Sequence, residues 1–412
     1  MFTILNIKGK KHLAFFDQLN MKLHIHCKEN LLIEKDERFI KFLDNIIVID
    51  TLEELMPDYY GIISYDVDYC FQFIGRDYAQ GVCNISKIKY YSKTIDDFLI
   101  PVQDKITNER DTVDIDINNK RVNISIDRKN YIVDNDEELG NLSYIECAFE
   151  PDNDWKFLIN IYNSLEKFIK FMMYIDNIDY PIIKLFNEEE NVGSLIVNKR
   201  FYKKKYKTCR IGVYSEVIKR NLESLYVFFF KENSEIKLSN MLGEWYDERY
   251  NIETISKIYS AFEKEANIKY KSRETNDEEE QIKEKVKDFL IDLDEYKNNK
   301  NFINGLINDR IKEYGKGYGH TSKLKAAVSE YLNYMPNRAR IYELIEDKYN
   351  IVKIVSEYRN KIIHEGFDDD IKQEDKIYWE YFEWIVYAMQ LIRVGISIED
   401  IESILDSTFG VG

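Results

Sequence analysis

The sequence predicts an α+β protein, with a β-rich N-terminal half followed by an all-helical C-terminal domain. In the first 150 residues apolar side chains recur at every second position, which is the period of a half-buried strand. From about residue 251 they recur at every third or fourth position, which is the period of an amphipathic helix. A chain of 412 residues is long enough for two or three domains, and we place these at 1–150, 151–250 and 251–412.

Alternating runs of apolar residues predict the strands of the N-terminal domain. One run covers 67–73. Two more, 113–117 and 122–126, flank Asn118-Asn119, a pair that tolerates turn geometry and so predicts a hairpin. Shorter strands are predicted at 23–26, 46–49, 85–90 and 144–149. Together these strands predict an antiparallel sandwich or an open barrel.

Residues 151–250 are predicted to hold a long helix and a small β region that complete the N-terminal half. The helix covers 155–174, and Pro181 follows its end. The β region covers 180–240 and includes the aromatic run 226–230, whose composition is typical of a buried strand. A short helix is predicted at 238–250.

Amphipathic helices fill the C-terminal domain. They are predicted at 252–262, 282–296, 302–314, 323–332, 341–349, 351–364 and 375–394. Ser397 and Asp400 mark the start of a last short helix. The charged segments 271–280 and 367–375 are predicted to be exposed, and the aromatic helix 375–394 is expected to serve either the core or a dimer face.

Composition limits the classes of function and the compartment. The net charge of −16 excludes a general coating for nucleic acid, so any RNA contact must use a local basic patch. Five scattered Cys without C-x-x-C spacing indicate reduced thiols. The start of the chain does not have the pattern of a signal peptide, and charges interrupt the most apolar run, 155–175. We therefore expect a soluble cytoplasmic protein without membrane contact, bound metal or cofactor.

His24, His26 and Cys27 are residue types that bind metals. In a strand, however, the two His share a face while Cys27 points away. No second group of ligands follows nearby. We therefore interpret the segment as an ordinary strand.

The motif Arg359-Asn360-x-x-x-His364 lies at the end of the predicted helix 351–364. Asn360 and His364 are four residues apart and share a face. RNA can be cleaved without a metal when its own 2′-hydroxyl attacks the adjacent phosphate. Imidazole can move the proton near neutral pH, and a guanidinium fork can bind the phosphate oxygens. Simple capping of helix carbonyls is the alternative interpretation.

This R-N-x-x-x-H motif, followed by a long aromatic helix, resembles the active motif of HEPN ribonuclease domains. The resemblance covers about residues 250–410, and the layout of the whole chain is similar to the ApeA type of bacterial anti-phage abortive-infection proteins. It implies a HEPN-like helical bundle and an endoribonuclease whose site forms where two copies pair, in a homodimer or higher homo-oligomer. An RNA substrate and a phage-derived trigger are expected. The residues carried over as catalytic are Arg359, Asn360 and His364.

Two further segments are candidates for RNA contact. The stretch 198–207 interleaves lysines with aromatics, a composition that can follow phosphates and stack bases. Its candidate contact residues are Lys199, Arg200, Lys203, Lys204 and Lys205. In the Gly-rich segment 315–320, Lys316 and His320 are candidate phosphate contacts. The alternatives are a strand edge guarded by lysines and a plain connection between helices.

Two other functions remain open. A helical domain of this kind can also be a non-catalytic binding or scaffold module that partners another protein. A metal-dependent DNA nuclease fits less well, because neither a D/E-x-K nor an H-N-H pattern is present.

Overall fold

The computed structural model confirms the α+β class. It describes residues 2–7, 10–26, 39–42, 45–48, 62–74, 85–92, 95, 111–117, 119–127, 144–152, 155–174, 178, 180–198, 215–230, 250–270, 320–334, 348–364 and 371–409. The chain divides into two compact units, Met1–Ser234 and Glu235–Gly412. Within the described ranges, the first unit carries antiparallel sheets with helices and the second is helical. The three-part division at residues 150 and 250 stays a prediction.

Thirteen strands are described in the first unit. They are β1 Phe2–Ile7, β2 Lys10–Asp17, β3 Lys22–His26, β4 Phe39–Phe42, β5 Asn45–Val48, β6 Ile62–Asp66, β7 Tyr69–Phe73, β8 Ile85–Tyr91, β9 Asp111–Ile117, β10 Lys120–Asp127, β11 Tyr144–Asp152, β12 Ile182–Asn187 and β13 Glu190–Val197. They form a four-stranded sheet in the order β1-β2-β3-β6, a seven-stranded sheet in the order β7-β13-β12-β8-β11-β10-β9, and a β4-β5 pair.

The predicted hairpin is confirmed. Ile117 pairs with Lys120 across a two-residue loop, and Asn119 has a φ of 65°, a left-handed conformation that Asn adopts more readily than most residues. The predicted run at 67–73 is shorter than expected, because β7 begins at Tyr69. Val67 lies instead between the two larger sheets, where its N–H donates to the carbonyl of Met21 at 2.7 Å.

Helix α1, Trp155–Met173, covers one face of the seven-stranded sheet. Its Trp155 ring lies 4.9 Å from Phe71, and its Tyr162 ring lies 6.2 Å from Tyr90. Tyr174, with a φ of 51°, follows the last turn. The long helix predicted at 155–174 is therefore confirmed.

Helix α2, Ser215–Phe230, shows that the predicted strand at 226–230 is wrong. The residues Leu222, Leu225, Tyr226 and Phe229 are buried at intervals of three and four, the period of a helix. The Phe229 ring packs 5.3 Å from Phe171 of α1, so a neighbouring helix buries this face. A short aromatic run does not distinguish a strand from a buried helix. Among the described residues of 180–240, the strands are β12 and β13.

Five helices are described in the second unit. They are α3 Ile252–Lys269, α4 His320–Tyr331, α5 Lys348–His364, α6 Lys376–Arg393 and α7 Ile398–Phe409, with short 3-10 turns at Leu332–Tyr334 and Gln373–Asp375. Helix α6 contacts the other four. Nearly every residue from Trp379 to Leu391 is buried, so the aromatic residues of this stretch serve the core. Gly395, with a φ of 90°, follows its end.

Several predictions fall outside the described residues. They are the helices at 282–296 and 302–314, most of the helices at 238–250 and 341–349, and the charged segment 271–280. None of the described helices combines the length and apolar character that crossing a membrane requires.

Candidate active site

Helix α5 carries the Arg-Asn-His motif on its last turns. It is described over Lys348–His364, so the predicted helix 351–364 is confirmed along its length and begins three residues earlier than predicted. Ile351, Val355 and Tyr358 form the buried side, and they recur at intervals of four and three. Asn360 is exposed, because it lies on the face turned away from that buried side. Of the three motif residues, Asn360 is therefore accessible to solvent.

Arg359 and Asn360 are joined by a direct hydrogen bond. The Arg359 Nη1–H donates to Oδ1 of Asn360 at 3.2 Å. Arg359 is half-buried, and its Nε–H is buried without a hydrogen-bond acceptor among the residues that the structure describes. The amide therefore orients one arm of the guanidinium, and that arm is close to solvent.

His364 is the last residue of α5. It lies four positions after Asn360, which corresponds to about 6 Å along the helix axis. The structure describes the backbone of His364 and not its side chain. The backbone thus places the histidine one turn beyond the hydrogen-bonded Arg–Asn pair.

Tyr259 of α3 is a neighbour of Arg359 that the sequence analysis did not single out. The positive charge of Arg359 acts on its hydroxyl, and the side chain is only 8% exposed. Burial, reinforced by the nearby Glu263 carboxylate, raises the pKa of Tyr259 to about 12, against the opposing charge of Arg359. The phenol is therefore neutral at physiological pH. In the sequence Tyr259 was simply one of the periodic apolar residues of a core helix.

The N-terminus of α3 is well capped. The Oδ1 of Asn251 accepts a hydrogen bond from the Thr254 N–H at 2.9 Å, as expected of an N-cap residue. Along the helix, Ile255, Ile258 and Phe262 are fully buried. The cap therefore fixes where α3 begins, and the buried residues fix which face of the helix turns to the core.

A buried polar group holds the segment beyond α5. The Tyr358 hydroxyl donates to Oδ2 of Asp375 at 2.8 Å and accepts from the Lys372 backbone N–H at 3.1 Å. Burial raises the pKa of Tyr358 to about 12, and the hydrogen bond to Asp375 adds to this. Two residues that follow α5 in the sequence, Lys372 and Asp375, therefore contact Tyr358, the residue that precedes Arg359.

The other predicted RNA contacts stay predictions, because the structure describes none of their side chains. Six of them, Lys199, Arg200, Lys203, Lys204, Lys205 and Lys316, lie outside the described residues. His320 is the first residue of α4, and its side chain is not described. Asn198, at the start of the basic stretch, is buried and donates through Nδ2 to the Val67 carbonyl at 2.9 Å.

The His24 and His26 segment has the structure of an ordinary strand. Nδ1 of His24 lies 2.7 Å from Oγ of Ser64, and its ring stacks on Phe15 at 5.9 Å. His26 is exposed, and Cys27 lies outside the described residues. Over the described ranges, no three His, Cys, Asp or Glu side chains form a group that could hold a metal ion.

Comparisons with known proteins provide no family assignment. No family model matches the chain, and neither a curated protein nor a solved structure matches it. The function must therefore be inferred from the residues of the site and from their chemistry.

Proposed function

We propose that this protein is a metal-independent endoribonuclease whose catalytic residues are Arg359, Asn360 and His364. The supporting observation is the hydrogen bond between Arg359 and Asn360 on the last turns of a helix that ends at His364. A guanidinium, an amide and an imidazole are thereby carried by one short piece of helix. The proposal includes a HEPN-like bundle for the second unit.

The reaction is an in-line transesterification. The 2′-oxygen of a ribose attacks the adjacent phosphorus, the new 2′-O–P bond forms, and the P–O5′ bond breaks. A base takes the 2′-hydroxyl proton and an acid gives a proton to the leaving O5′, so the products carry a 2′,3′-cyclic phosphate and a 5′-hydroxyl. His364 serves as acid or base. Its position at a helix C-terminus favours the protonated imidazole.

Arg359 and Asn360 stabilise the transition state. Negative charge accumulates on the non-bridging phosphate oxygens during attack, and the planar guanidinium binds two such oxygens at once. Asn360 holds the guanidinium through its Oδ1 and can donate its own N–H to the phosphate. Such donors stabilise a transition state best when they are oriented in advance.

Pairing of two copies completes the site. One α5 supplies one imidazole, whereas the reaction is best served by both an acid and a base. A two-fold axis near His364 brings the second imidazole, so the active species is a homodimer or a higher homo-oligomer. Mixing wild type with His364→Ala protein tests this, because an equal mixture then retains about one quarter of the wild-type activity instead of about one half.

The biological role follows from the resemblance to ApeA-type proteins. The protein acts in the cytoplasm in anti-phage defence, where RNA cleavage stops growth before the phage spreads. A phage-derived trigger binds the β-rich first unit, for which a sandwich or an open barrel is predicted. No bound metal, cofactor or membrane takes part.

The deciding experiment is cleavage of a mixed RNA pool in the presence of a chelator. Wild type is expected to leave 2′,3′-cyclic phosphate ends, and His364→Ala is expected to lose about 10²–10⁴-fold in rate, the usual contribution of a general acid or base. His26→Ala is the matched control, because it removes an exposed imidazole from the first unit. A folded His364→Ala protein that cleaves as fast as wild type contradicts the proposal.

The same experiment separates the enzyme from a non-catalytic scaffold. If wild type cleaves no RNA even in extracts of phage-infected cells, and if Arg359→Ala lowers the melting temperature, the motif has a structural role. Full loss of cleavage at an unchanged melting temperature supports the enzyme.

A further inference from the structure

The face of the seven-stranded sheet that is turned away from α1 carries polar side chains across its centre. On the α1 side, Ile88 and Tyr90 of β8 are fully buried, and Tyr90 packs on Tyr162 of α1. Since successive side chains of a strand point to opposite faces, Lys87 and Lys89 lie on the other face. Directly opposite residues of the five central strands form one row on that face, and all of them are polar: Ser194, Lys184, Lys89, Glu146 and Ser125.

Lys89 holds a positive charge at the centre of this row. Its Nζ lies 3.2 Å from Oε2 of Glu146, whose side chain is only 7% exposed. The same ammonium group lies 4.7 Å from the ring centroid of Tyr144 and 5.0 Å from that of Phe186. A carboxylate and two aromatic rings therefore fix the cation in a half-buried position.

Lys87 shares the Glu146 carboxylate with Lys89. Its Nζ lies 4.0 Å from the same Glu146 oxygen, and it donates to Oε1 of Glu189 at 2.7 Å. The Glu189 side chain is 86% exposed, and ion pairs that are open to solvent contribute little to stability. An anionic ligand can therefore take the place of the Glu189 carboxylate on Lys87.

Lys184 brings a third ammonium group to the same face. It lies directly opposite Lys89 in the pairing of β12 with β8, and like charges in opposite positions destabilise a sheet. Its Nζ donates to Oγ of Ser194 at 3.3 Å, a neutral oxygen that does not compensate the charge. An anion bound between Lys89 and Lys184 would remove this repulsion.

We propose that Lys87, Lys89 and Lys184 bind a small anion that carries phosphate groups. The three ammonium groups exceed the carboxylates of Glu146 and Glu189 in charge, and solvent screens half-buried charges less than exposed ones. A phosphate group has several strong acceptor oxygens, so that it can accept hydrogen bonds from more than one lysine. This binding site goes beyond the proposed function, because it lies in the first unit and does not depend on RNA cleavage.

The test is isothermal titration calorimetry of the full chain with inorganic pyrophosphate and, separately, with ATP, in metal-free buffer at low salt. We expect Lys184→Ala to bind pyrophosphate at least about tenfold more weakly than wild type, because it removes one charge-assisted hydrogen bond. Equal affinities for the two probes indicate that phosphate alone is recognised, whereas tighter binding of ATP indicates a nucleotide. A wild type that binds neither probe at millimolar concentration overturns the proposal.

Two control variants locate the binding. Lys11→Ala removes an exposed lysine from the four-stranded sheet of the same unit, and Arg359→Ala removes the guanidinium of the candidate active site. Both are expected to bind pyrophosphate as tightly as wild type. If either variant loses as much affinity as Lys184→Ala, the proposal is wrong.

Glu189→Gln separates a binding site from a purely structural ion pair. It removes the carboxylate that competes for Lys87 and keeps a side chain of similar size. We expect it to bind pyrophosphate about two- to fivefold more tightly than wild type, which corresponds to the strength of a solvent-exposed ion pair. Unchanged or weaker binding in Glu189→Gln would show that no ligand displaces this carboxylate.

Discussion

The Tyr358 hydroxyl has both of its hydrogen-bonding roles filled inside the protein. It donates to Asp375, which is only 8% exposed although the segment 367–375 was predicted to be exposed, and it accepts from the Lys372 backbone. A buried carboxylate is costly unless a donor reaches it. Tyr358 therefore stabilises the start of α6 and also the turn of α5 that carries Arg359.

Replacing Tyr358 with Phe should lower the free energy of unfolding by about 1–3 kcal/mol, because a buried carboxylate and a backbone N–H each lose a partner. Urea denaturation measures the change. Tyr270→Phe is the control, since the acceptor of Tyr270 is Glu330, whose side chain is 38% exposed and can bond to water instead. Equal losses of unfolding free energy in the two variants would show that the burial of Asp375 adds nothing to the cost of removing the hydroxyl.

Helix α2 illustrates how an element depends on its neighbour. Its aromatic residues pack on α1 through Phe168 and Phe171, while Glu223 and Ser224 on the opposite side are exposed. The helix is therefore stabilised mainly by tertiary packing of one face, as is usual for short helices in proteins.

A proline at Ser224 tests that this segment is helical. Ser224 lies in the interior of α2, where proline removes a backbone hydrogen bond and clashes with the preceding turn. Ser224→Pro should therefore lower the free energy of unfolding by about 3 kcal/mol. Ser224→Ala at the same exposed position should leave stability unchanged or raise it slightly. Circular dichroism during thermal unfolding measures the stability of both variants. A Ser224→Pro protein as stable as wild type would show that this segment is not helical.

At the scale of the whole molecule, buried tyrosines link the stability of the second unit to alkaline pH. Tyr259 and Tyr358 both have a pKa raised to about 12, above the ordinary value of about 10. The unfolded chain therefore releases these protons first. Their contribution to stability is fully present below pH 10 and is lost as the pH rises to about 12.

We expect the free energy of unfolding to decrease steadily from about pH 10 upward. Urea denaturation at a series of pH values measures this decrease. The double variant Tyr259→Phe and Tyr358→Phe should be less sensitive to pH over the same window, because it lacks both groups. A wild type whose stability is constant or rises between pH 10 and 12 would argue against buried, neutral tyrosines.

Local patterns were enough to predict those parts of the molecule whose structure is set by neighbouring residues. The alternation on either side of Asn118-Asn119 predicted the β9-β10 hairpin, and the apolar period predicted that the Arg-Asn-His motif lies on helix α5. The α+β class followed from the change of period. In these cases the residues that form the hydrogen bonds are close together in the chain.

Tertiary packing settled what these patterns left open. The run 226–230 became a helix because α1 offers an aromatic face to it, and the aromatic stretch of α6 became core because four helices surround it. The electrostatic interaction between Arg359 and Tyr259 joins residues 100 positions apart, which only the packing of α3 against α5 brings together. Burial and long-range contact depend on which surfaces meet, and a periodic pattern specifies a surface without specifying its partner.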